Sequence, residues 1–147
     1  MKYEFQKITI IKLRRSSNKD VNDDLQWFSQ SLGLFGERDK EKSCFRVFVE
    51  LLKASRRNKE LTSDELALKS NLSRATVIHH LNKLMESGLV ISQDNMYSLR
   101  VNNLEYLVDE LRKDVLRTLD DIHSMAEELD EELGLSKRSN KNNTLSD

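Results

Sequence analysis

The sequence predicts a mainly α-helical fold with one small β-hairpin, preceded by an extension and followed by a single long helix. Three observations carry this expectation. Between Leu61 and Ser92 the stretch LTSDELALKSNLSRATVIHHLNKLMESGLVIS reads as a short helix, a polar turn, a longer amphipathic helix, a glycine stop and an apolar strand. Between residues 102 and 133, neither Pro nor Gly interrupts apolar residues at helical spacing. Residues that favour extended backbone cluster near the N-terminus and again after Gly88.

Each element has a local signature. Residues 3–13 hold Tyr3, Phe5, Ile8, Thr9, Ile10 and Ile11, a pattern that favours extended chain and predicts an arm whose isoleucines add a strand. A polar connector follows. Asp20 is placed to cap a helix carrying Val21, Leu25, Phe28 and Leu32 and ending near Gly33. A second helix is expected over 38–57, burying Phe45, Phe48, Val49, Leu51 and Leu52, with Cys44 as a small buried hydrophobe. Thr62 and Glu65 have capping-box spacing, which starts a helix near Ser63 that runs to about Ser70. Asn71, Leu72 and Ser73 make the turn, with Ser73 capping a helix that buries Val77, Leu81 and Leu84. Gly88 suits the left-handed stop. A strand from Leu89, a turn at Gln93-Asp94-Asn95 and a return over Tyr97–Val101 complete a hairpin. Asn102 and Glu105 then start the long helix, and the tail from residue 135 has the polar composition of a disordered segment.

Charge divides the chain. Residues 37–101 carry twelve basic against nine acidic side chains, whereas 102–133 carry three against eleven. A mildly basic centre beside an acidic helix fits a nucleic-acid reader with a separate assembly element. One cysteine, Cys44, excludes an internal disulfide and a paired-cysteine zinc site. No run of about 18 apolar residues exists, so no membrane span is expected. With no recognisable signal peptide either, a cytoplasmic location is expected. His79 and His80 point about 100° apart on a helix and do not chelate one ion together. No carboxylate pair or nucleophile–base spacing is visible, so neither an enzyme nor a bound metal or cofactor is expected.

Helix, turn, helix and hairpin in this order constitute a winged helix-turn-helix. The middle of the chain resembles the winged-helix repressors of the ArsR and MarR type. The carrying residues are Leu66-Ala67, Leu72 to Val77, His80-Leu81, Leu84 and Gly88-Leu89-Val90. The resemblance covers about residues 40–101 and implies a dimeric, cytoplasmic, prokaryotic transcription regulator. It departs from that family twice. The helix Ser63 to Ser70 lacks the cysteine motif of the family's metal sensors, and the wing is short, with no basic tip.

The expected organisation is an N-terminal arm and helix (1–36), a winged helix-turn-helix domain (37–101), a long C-terminal dimerisation helix (102–134) and a tail (135–147). Double-stranded DNA and a second copy of the chain are the expected partners, and the sequence names no effector. With the recognition helix, 73–87, in the major groove, Arg74, Ala75, Ile78 and His79 are the candidates for base edges. Ser73, Thr76 and Lys83 suit phosphates, as do Thr62 and Ser63 at the preceding helix N-terminus. Arg100 is the cation nearest the wing. Arg14 and Arg15 of the arm are placed to meet phosphate, while Trp27 and Phe28 are expected against the long helix. The long helix carries Leu104, Leu111, Val115, Leu119, Ile122 and Leu129 as dimerisation residues. Its apolar positions fit steps of eleven (Leu104, Val115, Ala126; Leu111, Ile122, Leu133) better than a strict heptad, which drops slots on Thr118 and Glu132. Two other functions fit the same elements. One is a winged-helix protein-interaction module that does not bind DNA. The other is a small-molecule sensor with its pocket between the N-terminal and long helices.

Overall fold

The structure, a computed structural model, describes residues 5–15, 17, 20–36 and 38–136. The polar tail expected from residue 135 falls outside them beyond Ser136. The chain divides into two compact units, residues 1–111 and 112–147.

In the first unit, α1 (Val21–Ser31) starts where Asp20 accepts a hydrogen bond from the backbone N–H of Asn22, at 3.1 Å. Its apolar stripe is narrower than expected, because Val21 is exposed. α2 (Ser43–Arg56) starts five residues later than its periodicity suggested. Lys42 is left-handed (φ +50°), and Asp39 accepts its backbone N–H, so residues 38–42 turn instead of coiling. α2 buries Cys44, Phe45, Val47, Phe48 and Leu51. Val49 and Leu52, expected inside, are only half-buried.

β1 (Leu61–Thr62) leads directly into α3 (Ser63–Ser70), whose cap is the expected Thr62–Glu65 box. Asn71 is left-handed (φ +54°), the conformation an Asn tolerates best among side-chain-bearing residues, and it turns the chain into α4 (Arg74–Glu86). Ser73 caps α4, and Val77, Leu81 and Leu84 are buried as expected. Gly88 (φ +84°) stops the helix. β2 (Val90–Gln93) and β3 (Met96–Leu99) then pair antiparallel around Asp94 and Asn95. Both turn residues have positive φ, as a two-residue hairpin loop requires. β1 pairs with the other edge of β3, Leu61 opposite Tyr97, giving a three-stranded sheet in the order β1-β3-β2.

α5 (Leu104–Leu133) is capped by Asn103, one residue after the expected Asn102. The Asn103 Oδ1 accepts the backbone N–H of Tyr106 at 2.8 Å. Leu107 and Leu111 are buried in the core formed by α2, α3, α4 and the sheet, and Leu104 packs against it. This corrects the assignment of Leu104 and Leu111 to subunit pairing, because both serve the core of their own unit. A fully buried Leu contributes about 1.5–3 kcal/mol.

The arm differs from expectation too. Residues 5–15 form neither helix nor strand and add nothing to the sheet. The Lys7 N–H donates to the Glu86 carbonyl at 3.1 Å, and the Ile11 N–H donates to Ser31 at 2.7 Å. Ile10 and Ile11 remain exposed. Trp27 lies under this arm, its indole N–H donating to the Leu13 carbonyl at 3.2 Å, with the Arg15 guanidinium 5.6 Å from its ring centre.

In the second unit, residues 112–133 continue α5. Leu119, Ile122, Leu129 and Leu133 are exposed there. No helix among the described residues is long and apolar enough to cross a membrane.

Candidate nucleic-acid interface

α3, the Asn71-Leu72-Ser73 turn and α4 form the helix-turn-helix. α4 is held from beneath by Val77, Leu81 and Leu84, each 0 % exposed. The Arg46 guanidinium of α2 donates to the Ser70 carbonyl at the end of α3, supplying a cation where the helix dipole is negative. With its apolar side committed to the core, α4 displays the opposite side. Arg74, Ala75 and His79 are exposed there. Asn82 is exposed on the same face, at i+7 from Ala75, and its amide can donate and accept at once. Sequence reasoning omitted Asn82, although its spacing from Ala75 and His79 was the available signal.

The other expected site residues divide by what already occupies them. The Ser73 hydroxyl accepts the Thr76 N–H at 3.1 Å and donates to the Thr76 hydroxyl oxygen at 2.8 Å. Arg74 Nε lies 3.2 Å from Asp64 Oδ1 of α3, and both side chains are largely exposed. Ile78 is half-buried and packs on the core, whereas Ala75 is exposed. Lys83 is exposed. Thr62 and Ser63, expected to meet phosphate through backbone N–H groups at the N-terminus of α3, have side chains that are already placed. Thr62 is engaged by Glu65, and Ser63 is buried. Hydrogen bonds from the Thr62 backbone N–H and then its hydroxyl hold the Glu65 carboxyl below the ordinary range. Arg100 is turned from the wing toward α5, its Nη2 3.5 Å from Glu110 Oε2. The wing tip thus presents Asp94 and Asn95.

His80 sits one position off the displayed face and is half-buried. Burial lowers its imidazole pKa, helped by His79 and Lys83, so the ring is neutral at pH 7. Among the described residues no group of His, Cys, Asp and Glu is arranged to hold a metal ion. Burial pushes the Cys44 thiol up to about 11, far from a reactive thiolate. A cleft of about 250 Å³ lies between the arm, the end of α1, α2 and the last turn of α4. Lys7, Thr9, Leu32, Cys44, Lys83 and Glu86 are among its walls, and α5 contributes nothing to it.

Residues 49–92 match the family described as bacterial regulatory protein, arsR family. That segment of the chain is similar to the helix-turn-helix of the arsR family. The match runs from within α2 to the third residue of β2, so it contains α3, the turn and α4 entire. Among solved structures, the chain is similar to a candidate transcriptional regulator protein from Pseudomonas aeruginosa. The two are 21% identical over 79% of this chain and 99% of that one, with a TM-score of 0.33. No curated protein matches the chain. The match to a family of bacterial regulators, over a helix-turn-helix whose α4 is open on one side, supports a DNA-binding regulator.

Proposed function

We propose that the protein is a homodimeric transcriptional regulator that binds specific double-stranded DNA, with α4 in the major groove. The observation that carries this reading is the outer face of α4 inside a segment similar to the arsR family. Arg74, Ala75, His79 and Asn82 stand out from a helix whose other side is fixed by three fully buried residues. Arg74 presents the fork that bonds guanine O6 and N7, Ala75 suits a thymine methyl, and Asn82 suits adenine. Ser73, Thr76 and Lys83 flank these positions as phosphate contacts. Homodimerisation is supported by the exposed apolar positions of residues 112–133, since a helix does not leave such a stripe in water without a partner. Two half-sites about one helical turn, or roughly 34 Å, apart then follow from the two-fold symmetry.

A second reading, a winged-helix module that binds protein instead of DNA, is favoured by one observation. The wing has an acidic tip, and its nearby cation, Arg100, pairs with Glu110. One titration separates the two. Anisotropy of a labelled random duplex is measured against the full chain at low and moderate salt. A DNA reader binds at low salt, and log K falls by about 0.9 per neutralised phosphate for each tenfold rise in salt. Absence of binding at low salt rejects DNA recognition.

A further inference from the structure

Resting on the homodimer reading, we infer that residues 112–129 pair with the same residues of a second copy in the antiparallel direction. Assigning Leu104 and Leu111 to the core of the first unit changes the periodicity of what remains. Val115, Leu119, Ile122, Ala126, Leu129 and Leu133 follow one another at steps of four, three, four, three and four, an unbroken heptad. Leu119 is 52 %, Ile122 58 %, Leu129 43 % and Leu133 66 % exposed. Leu116 and Met125, also exposed, widen the stripe on its two flanks. A stripe of this period and width fits a second helix of the same kind.

Charge decides the direction. Residues 112–117 carry Arg112, Lys113 and Arg117 against one acid, Asp114. Residues 120–132 carry seven acidic side chains and neither Lys nor Arg. Parallel pairing lays the two acidic stretches side by side, one helix diameter or about 10 Å apart, which is about one Debye length at 0.1 M salt. It also sets Arg112, which occupies a seam position one heptad before Leu119, against the partner's Arg112. Antiparallel pairing lays Arg112, Lys113 and Arg117 along the stretch of the partner that holds Glu127 and Glu128, and confines the facing of like charges at the centre to Asp120 and Asp121. Its layers then join Leu119 to the partner's Ile122, Val115 to the partner's Ala126, and Arg112 to the partner's Leu129. In that register the two Leu111 residues lie about 28 Å apart along the pair at about 1.5 Å per residue. Parallel pairing brings them within about 10 Å.

The test uses the full chain carrying V115C and A126C, with Cys44 retained because it is buried. After mild oxidation, the cross-linked dimer is digested and its disulfide-linked peptides are identified by mass spectrometry. Antiparallel pairing gives residue 115 bonded to residue 126 between chains. The two cannot bond within one chain, since eleven residues of helix separate them by about 16 Å. Bonds from 115 to 115 and 126 to 126 overturn the inference and leave the homodimer standing. A dimer by sedimentation with no bond across α5 also overturns it and moves the homodimer to another surface. A monomer at tens of micromolar rejects both. The unsubstituted chain provides an independent measurement. Raising salt from about 0.05 to about 0.3 M weakens an antiparallel dimer severalfold by screening its opposite charges. Unchanged or tighter association overturns the inference.

Discussion

Arg74→Ala separates binding from folding. Arg74 and Asp64 are 3.2 Å apart, with 67 % and 81 % of their side chains exposed. Two unit charges at that distance in water attract by about 1 kcal/mol, and ordering two exposed side chains consumes much of it. Loss of the pair should therefore change folding stability by less than about 1 kcal/mol. On DNA the loss should be larger. A bidentate arginine–guanine contact discriminates by about 1–3 kcal/mol, or roughly 5- to 150-fold in affinity. Asp64→Asn acts in the opposite direction, since it removes a negative charge that pairs with Arg74 and, in the proposed complex, would repel nearby phosphates. Its affinity for the same site should rise. The assay pairs anisotropy on a DNA site selected from a random pool with urea unfolding of each variant. If Arg74→Ala binds that site as well as the original chain does, the guanine contact is refuted. If it unfolds more than about 2 kcal/mol earlier, the pair is structural and the exposed-pair estimate fails.

Four further outcomes are expected. Leu81→Ala, at a fully buried position of α4, should cost about 2–5 kcal/mol in urea unfolding. Gly33→Ala should destabilise by about 1–2 kcal/mol or more, because Gly33 has φ +74° and a Cβ there would lie 2.6 Å from Thr9 Cγ2; an unchanged thermal midpoint would show that the arm yields freely. The His80 imidazole titrates lower folded than unfolded, so its contribution is intact above the unfolded value of about 6.5 and is lost as pH falls through the lower folded value. The urea midpoint of the original chain should thus fall more between pH 7.5 and pH 5 than that of His80→Gln, and parallel curves would contradict the burial effect. Cys44, 2 % exposed with its thiol raised to about 11, should react with iodoacetamide at pH 8 far more slowly in the folded chain than in urea, as followed by mass.

Much of the fold was legible because its signals are local. Thr62–Glu65, Ser73 and Asp20 cap helices through atoms two or three residues away, and Gly88 and Asp94-Asn95 turn the chain by their own backbone angles. What escaped depends on distant partners. β1 is two residues long and exists only because Leu61 and Thr62 meet Tyr97 and Met96. The arm has β-favouring side chains, yet its backbone donates to the ends of α4 and α1 instead of a strand. On the candidate interface, residue type suggested Arg74, Ala75 and His79, and the structure displays all three. Type also suggested Ile78 and Arg100. Core packing and Glu110 respectively engage those two, and neither contact is visible in a single stretch of sequence.

The eleven-residue period of α5 shows how two local rules can merge into a third. Leu104, Leu107 and Leu111 are phased to the core of the first unit. From Val115 onward the stripe is phased as a heptad. Leu111 to Val115 and Val115 to Leu119 are consecutive steps of four, and each advances the stripe by about 40° around a helix of 3.6 residues per turn. Averaged over thirty residues, this single phase shift imitates a continuous period near 3.67. The substitution of polar for apolar residues discriminates the two descriptions. Under one continuous stripe, Leu107→Asn and Ile122→Asn would damage the same surface. Under two, Leu107→Asn should unfold the domain, because it places an amide at a position 0 % exposed. Ile122→Asn, at a position 58 % exposed, should leave the unfolding of the domain unchanged while raising the concentration at which the chain dimerises. Equal loss of stability in both variants would return α5 to a single role.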